Sequence, residues 1–438
     1  MNTIDDLHLA TEILPIFDYT RNSFASAALL DILLKPLPSI AAIRLRQEII
    51  KGFMENLRVL QDYSYARPEF HEVHSFLIDT AIQEAGRTRL TFKLLASTKD
   101  RHALQSKLVQ FVLLFHRLHT TYLGRMRTEC FPDDYRAEIP WMLEFLAIFR
   151  LNVYEKLIRE DNFTVAGMTE LATIIAGEQL SGAIELFYKK LSAFEAYLSI
   201  AKAMAERSFC IPTLVEGPLI FEQLYHPALK APVSNSFSSR SNVLLLTGPN
   251  MSGKSTFLKS VALCVYLAHV GVGVPAAAAQ LPFFDHISVS INHNDDIVSG
   301  YSHFMAEIMR LKAVLIAANE NKKCFAVFDE LFKGTNIEDA VQISSSTVAG
   351  LPGFSDSYFF ISTHLHQLQE LEEVQSKKVD CYYLDCNVKN DTPAFTYELK
   401  EGWSSLRVGQ ILFEQEGLNE LLRRRKALNS FTANVPKS

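Results

Sequence analysis

The sequence lacks paired cysteines. Its six, at 130, 210, 264, 324, 381 and 386, are scattered. None makes a CxxC pair, and Cys381 and Cys386 have no second pair or histidine tandem beside them, which argues against a zinc site and for reduced thiols. An apolar leader is missing too: the first ten residues, MNTIDDLHLA, are acidic, so no signal peptide is expected and a cytoplasmic location is. The longest apolar stretch, residues 261–279, is interrupted by Gly271, Gly273 and Pro275, and reads as a buried helix running into a buried strand, not as a membrane span. There is no excess of positive charge. With 43 Lys and Arg against 49 Asp and Glu, the net charge is −6. Any contact with nucleic acid must then come from a local patch, a clamp-like shape or a dimer channel, not from a global field.

What is present divides in two. At 438 residues the chain is too long for one ordinary core. Residues 1–210 carry apolar side chains at three- and four-residue spacing, as in HALQSKLVQFVLLFHRLHTTYL, with prolines 36, 38, 68, 132 and 140 as punctuation. This predicts an α-helical N-terminal domain whose aromatic residues, Phe111, Phe115 and Trp141 among them, form a core. After Phe209 the composition shifts to Pro, Ser and Asn, and then short apolar runs alternate with helical patterns: NVLLLT, STFLKSVALCVYLAHV, CFAVFDE, SYFFIST, FTYELKEG. Residues 211–438 are therefore expected to form an α/β domain with a largely parallel sheet, ending in a basic amphipathic helix, GLNELLRRRKALNSF.

The α/β half contains TGPNMSGKST, Thr247 to Thr256. Gly248, Gly253, Lys254 and Ser255 satisfy G-x-x-x-x-G-K-[ST] between a predicted strand and a predicted helix, the context that a phosphate-binding loop requires. Pro249, Asn250, Met251 and Ser252 complete the loop. Backbone amides at the helix start attract anionic phosphate. Lys254 is expected to reach the β- and γ-phosphates of ATP, Ser255 to coordinate Mg²⁺, and Thr256 to meet the α-phosphate. CFAVFDE ends in two carboxylates. Asp329 is the natural second-shell partner of Mg²⁺, and Glu330 the candidate general base toward water. His364, one step past the strand that ends in Ser362 and Thr363, is placed to sense the γ-phosphate.

These motifs, in this order, resemble the ATPase domain of the MutS DNA mismatch repair family over about residues 221–412. The loop P-N-M at 249–251 is more specific than a generic phosphate loop. DDIVSGYSHFMAEI resembles a family segment at Asp295, Asp296, Gly300, Ser302, Phe304, Met305 and Glu307. The resemblance implies that Ser302 contacts the γ-phosphate held by the other subunit of a dimer. DELFKGTNIEDA, STHLHQL and LYHPAL, with His226 and Pro227, match further family patterns, and residues 23–53 look like the start of its helical core. The family's mismatch-reading domain has no counterpart here, and residues 60–207 look too short and too uniformly helical to include its β-rich clamp. Ser252, His303 and Phe332-Lys333 depart from the family pattern, and Val233 stands nearest to where the family offers an aromatic to adenine.

Two functions stay open at this point. One is an ABC-type P-loop ATPase of the MutS kind, in which ATP and Mg²⁺ drive a homodimer, joined through its ATPase domains, to grip and release distorted, branched or mismatched DNA. The other is an ATP-gated protein-interaction module with little or no DNA binding.

Overall fold

The computed structural model describes residues 4–79, 87–291, 303–389, 392–404, 406 and 408–422. Asp295, Asp296, Gly300, Ser302 and the basic run at 423–426 lie outside the described residues.

The N-terminal half is helical throughout its described length. After short helical turns at Asp5–Leu7, Leu9–Ile13 and Leu14–Phe17 come helices α1 (Ser23–Leu34), α2 (Ile40–Asn56), α3 (Arg67–Ile78), α4 (Arg87–Ala96) and α5 (Thr98–Arg117). They are followed by α6 (Glu138–Ile148), α7 (Leu151–Arg159), α8 (Val165–Ser181) and α9 (Ala183–Arg207). Asn22 and Ser39 start α1 and α2 by accepting hydrogen bonds from Ala25 N and Ala42 N, at 2.9 and 3.3 Å. The core is an aromatic cluster. Phe53, Phe111, Phe115, Phe149, Phe187 and Phe194 are fully buried, and Phe111 meets Phe115 and Phe149 edge-on, with centroids 5.1 Å apart in each pair. The expectation of an aromatic core holds for Phe111 and Phe115, whereas Trp141 is only partly buried against the cluster.

At 25 residues, α9 spans about 37 Å and passes from this cluster into a second one shared with the α/β half. There α1 and α2 lie on α10 (Lys254–Val270), the helix that follows the phosphate loop. Leu37 N donates to His269 O at 2.8 Å, Arg46 Nη1 to Val270 O at 2.6 Å, and Tyr266 Oη to Leu33 O at 3.0 Å. The two halves are thus joined at the back of the nucleotide helix by both apolar burial and backbone hydrogen bonds.

The α/β half is built on a six-stranded sheet in the order β10-β9-β4-β8-β7-β6. The strands are β4 (Val243–Thr247), β6 (His286–Ser290), β7 (Cys324–Phe328), β8 (Tyr358–Ser362), β9 (Asp380–Lys389) and β10 (Thr392–Glu401). All neighbours run parallel except β10, which pairs antiparallel with β9. β4 and β7 are buried on both faces, as central parallel strands are. Leu244 and Leu246 enter the core shared with the helical half, while Val243 and Leu245 enter a separate core on the opposite face. A smaller sheet, β1 (Thr213–Leu214), β5 (Ala278–Leu281), β2 (Ile220–Leu224) and β3 (Asn235–Ser238), flanks it. The expected direct passage of α10 into a strand is interrupted: Val274 only bridges Cys210, and β5 begins at Ala278. Among the described residues no helix is long and apolar enough to cross a membrane.

Candidate nucleotide site

β8 lies between β4 and β7, so three strands end side by side and their following residues converge. Register fixes the match: Leu246 is opposite Ser362, and Phe328 opposite Ile361. Asp329 then falls beside Ser362, with the phosphate loop one strand away.

The loop closes as its glycines allow. Gly248 has φ +140° and Gly253 φ +95°, conformations that a side chain disfavours. A Cβ at Gly253 would also meet the ring of Tyr397 at 3.2 Å. Lys254 Nζ donates to Gly248 O and Pro249 O, at 3.1 and 3.2 Å. Burial pulls its ammonium below the usual range, against the opposing attraction of Glu330 and Asp329. The lysine is thus held inside the loop by neutral carbonyls, partners that an anionic phosphate would outcompete. Ser252 Oγ is buried without a partner and lines a cavity of about 380 Å³ next to Thr256. An orphaned hydroxyl at a helix start suits an arriving phosphate or ribose oxygen. Pro249 and Asn250 border smaller hollows beside His364. Met251, with φ +67°, is 71% exposed at the tip of the loop, so its side chain points to solvent.

The carboxylates are bound into one network. Ser255 Oγ donates to Asp329 Oδ2 at 2.5 Å, and Ser362 Oγ donates to Asp329 Oδ1. Glu330 N donates to Ser362 Oγ at 2.8 Å. Asp329 N is fixed by Ser290 O at 2.9 Å, and the next residue of that strand end, Ile291, donates its N–H to Asp6 Oδ2 at 2.7 Å. The hydroxyl of Ser255 and the carboxylate of Asp329 are hard oxygen donors. Among the described residues no group of three or more His, Cys, Asp or Glu is arranged to hold a metal. Such a sparse pair fits Mg²⁺, which takes one or two protein oxygens and completes its shell with phosphate and water.

Glu330 sits at φ +54°, and its side chain is only 15% exposed. Its Oε1 is 2.6 Å from His364 Nε2, and its Oε2 accepts from Lys333 Nζ. The His364 hydrogen bond, aided by Lys333, outweighs burial and holds the carboxyl down at about 2. The turn that presents it is pinned by Glu307, whose Oε2 accepts from Phe332 N at 3.0 Å. Gly334 packs so closely on Phe304 that a Cβ there would lie 3.2 Å from Phe304 N. The described part of the segment matched to the family, Phe304 to Glu307, thus docks onto the turn after Asp329-Glu330.

Sequence reasoning missed three participants. Ser362 links Asp329 to Glu330, a role visible only in the register of β8 against β7. Lys333 holds Glu330. Tyr397 lines the cavity beside the phosphate loop together with His226 and Val233. It comes from a bulge in β10, where pairing slips between Phe395 and Leu399 and Tyr397 takes φ +61°. Asn235 of β3 stitches the bulge by bonding Tyr397 O at 3.0 Å and Leu399 N at 2.7 Å. No local pattern in the sequence announces that placement. His226, read as part of a family match, is buried at the same cavity, and burial lowers its pKa, favouring the neutral ring.

Known proteins resemble the chain over the same region. Residues 244–422 match the model of MutS domain V. The chain is 29% identical to the DNA mismatch repair protein MutS of Pelotomaculum thermopropionicum, over 64% of this chain and 34% of that protein. It is 30% identical to the MutS of Bacillus pumilus, over 50% of this chain and 26% of that protein. To the MutS of Listeria monocytogenes it is 32% identical, over 49% of this chain and 26% of that protein. The chain therefore spans about a third or less of the length of these relatives. The C-terminal half of the chain is therefore similar to the ATPase region of MutS proteins, with only part of those relatives' domain content matched.

Proposed function

We propose that this chain is an ATP-hydrolysing conformational switch that acts on DNA, working as a dimer joined through its ATPase domains. One observation carries the reading: Ser255 meets Asp329 and Glu330 meets His364 where three separate strands end, and the loop that encloses Lys254 also lines, through Ser252, Gly253 and Thr256, a cavity of about 380 Å³. In this scheme Lys254 leaves its loop carbonyls for the β- and γ-phosphates. Thr256 and Ser252 donate to phosphate oxygens. Tyr397 and Val233 flank the base. Ser255 and Asp329 would hold Mg²⁺, which when bound neutralises charge developing on the phosphates.

Glu330 orients the attacking water. Its low pKa keeps it ionised but makes it a weak base while His364 and Lys333 hold it. Release from one of these partners frees an acceptor oxygen and raises its basicity. His364, once it turns toward a γ-phosphate, couples that release to the presence of ATP. Ser302 of the second subunit completes the site in this proposal. Binding energy is used to move α10, and with it α1, α2 and the long α9, between two arrangements that ATP binds unequally.

The test is ATP turnover by the chain, followed by fluorescence anisotropy on matched, single-mismatch and four-way-junction DNA with and without ATP at one salt concentration. ATP-dependent preference for a distorted DNA supports the reading. Turnover without any DNA binding supports the interaction module instead. Turnover equal in the parent and Lys254→Ala removes the site.

A further inference from the structure

The chain is acidic overall, yet between residues 87 and 107 it has six Lys or Arg and one Asp. The fold brings this stretch to one corner. α4 and α5 are separated by Ser97 alone, whose Oγ caps α5 by accepting from Asp100 N at 3.2 Å. α4 buries Leu94 and sets Thr91 beside Thr169 of α8, with hydroxyls 3.4 Å apart. α5 buries Leu108, Phe111, Val112 and Phe115. The cations are left outside. Arg87, Arg89, Lys93, Lys99 and Lys107 are exposed and Arg101 half-exposed. Among them stand two apolar side chains, Phe92 at 69% and Leu95 at 62% exposure.

The neighbouring basic residues behave differently. Arg150, Lys156 and Arg159, on and beside α7, each have a carboxylate within 4.0 Å: Glu170, Glu160 and Glu155. At the α4–α5 corner the one ion pair among the described residues is Lys93 with Asp100, at 4.0 Å. Lys107 lies over the ring of Phe76, 5.6 Å from its centroid, a cation–π contact and not an ion pair. A cluster of cations with a single carboxylate partner among the described residues, on an acidic protein, repels itself and gains most from a polyanion, whose condensed counterions are released on contact. Exposed Phe92 adds a flat apolar face suited to sugar or to an unstacked base.

We propose that the α4–α5 corner is a DNA-contacting surface that holds the phosphodiester backbone through Arg89, Lys93 and Lys99, with Phe92 against the sugar–base edge. It rests on the reading of the chain as a DNA-acting ATPase, and supplies the local patch that a net-acidic chain needs. α4 and α5 pack on α3, α7 and α8, so the corner is reached from the nucleotide site through α10, α2 and α9.

The experiment is a salt titration of duplex and four-way-junction DNA binding by the full chain and by the triple variant R89E/K93E/K99E. All three side chains are exposed, and circular dichroism together with DNA-free ATP turnover monitors the fold. The expected result is unchanged turnover, at least tenfold weaker DNA binding, and a log–log salt slope smaller by about three, since each phosphate contact contributes about 0.9. Phe92→Ala is expected to weaken binding without changing the slope. Unchanged affinity and slope in the triple variant, with a parent that binds DNA, overturns the corner and leaves the DNA-acting reading intact. A parent that hydrolyses ATP yet binds no DNA overturns both. Binding of the parent to phosphatidylserine vesicles but not to DNA overturns the assigned partner.

Discussion

The two halves each contain a glutamate withdrawn from water, and the two are treated in opposite ways. Glu195 of α9 is 2% exposed. Its carboxylate accepts from Tyr63 Oη at 2.8 Å, from Tyr65 Oη, from Asn22 Nδ2 at 3.2 Å and from Arg21 N at 3.3 Å. Those donors are uncharged, and desolvation outweighs them, so its pKa is raised. Glu330 has His364 and Lys333, and its pKa falls to about 2. The bundle's glutamate is saturated with fixed hydrogen bonds and stitches the loop before α1 to α9. The sheet's glutamate is held at a strand end by two side chains that can swing away. A saturated network makes a rigid part, and an exchangeable one makes a part that can react.

The comparison breaks most visibly in turnover. Lys254→Ala is expected to reduce ATP hydrolysis at least a hundredfold and to abolish retention of ATP on the protein, while thermal unfolding of the bundle is unaffected. Glu330→Gln should bind ATP with near-parental affinity but turn it over about a hundredfold more slowly. In analytical ultracentrifugation with ATP it should accumulate as a dimer; a monomer with parental turnover would remove both assignments. Mixing Ser302→Ala with Lys254→Ala should give non-additive kinetics if each nucleotide is shared between chains.

On the other side, Glu195→Ala removes the acceptor of both the Tyr63 and the Tyr65 O–H donors in the bundle, leaving Tyr65 only the bond it accepts from Asn22. It should lower stability by about 3 kcal/mol in denaturant unfolding, with ATP affinity retained. Tyr397→Ala tests the base side of the cavity: loss of one ring face, about 1 kcal/mol, should raise the KM for ATP about fivefold and leave kcat unchanged.

A separate effect is in pH. Glu330 has a folded pKa below its ordinary 4.5, so its contribution to stability is present above 4.5 and is lost as pH falls toward about 2. The stability difference between the parent and Glu330→Gln should therefore shrink across that window. Glu195, with a raised pKa, acts the other way, and stability should fall as pH rises from 4.5 through its folded value.

Much of this protein is decided by local pattern alone. The helical spacing of residues 1–210, the apolar runs that became β4, β7 and β8, and the phosphate loop with Lys254 and Ser255 were all legible, because each is set by neighbours within a few residues. Asp329, Glu330 and His364 were legible as strand-end polar groups for the same reason. Tertiary structure alone decided that β8 enters between β4 and β7, which puts Ser362 onto Asp329 and brings His364 to Glu330. It also decided that a bulge far along the chain turns Tyr397 toward Gly253, that Asp6 steadies the strand end beside Asp329, and that α4 and α5 meet at a corner where cations outnumber carboxylates. Those contacts join residues up to 285 positions apart. They depend on strand order, register and helix packing, which are settled by burial over the whole chain and leave no trace in any short stretch of it.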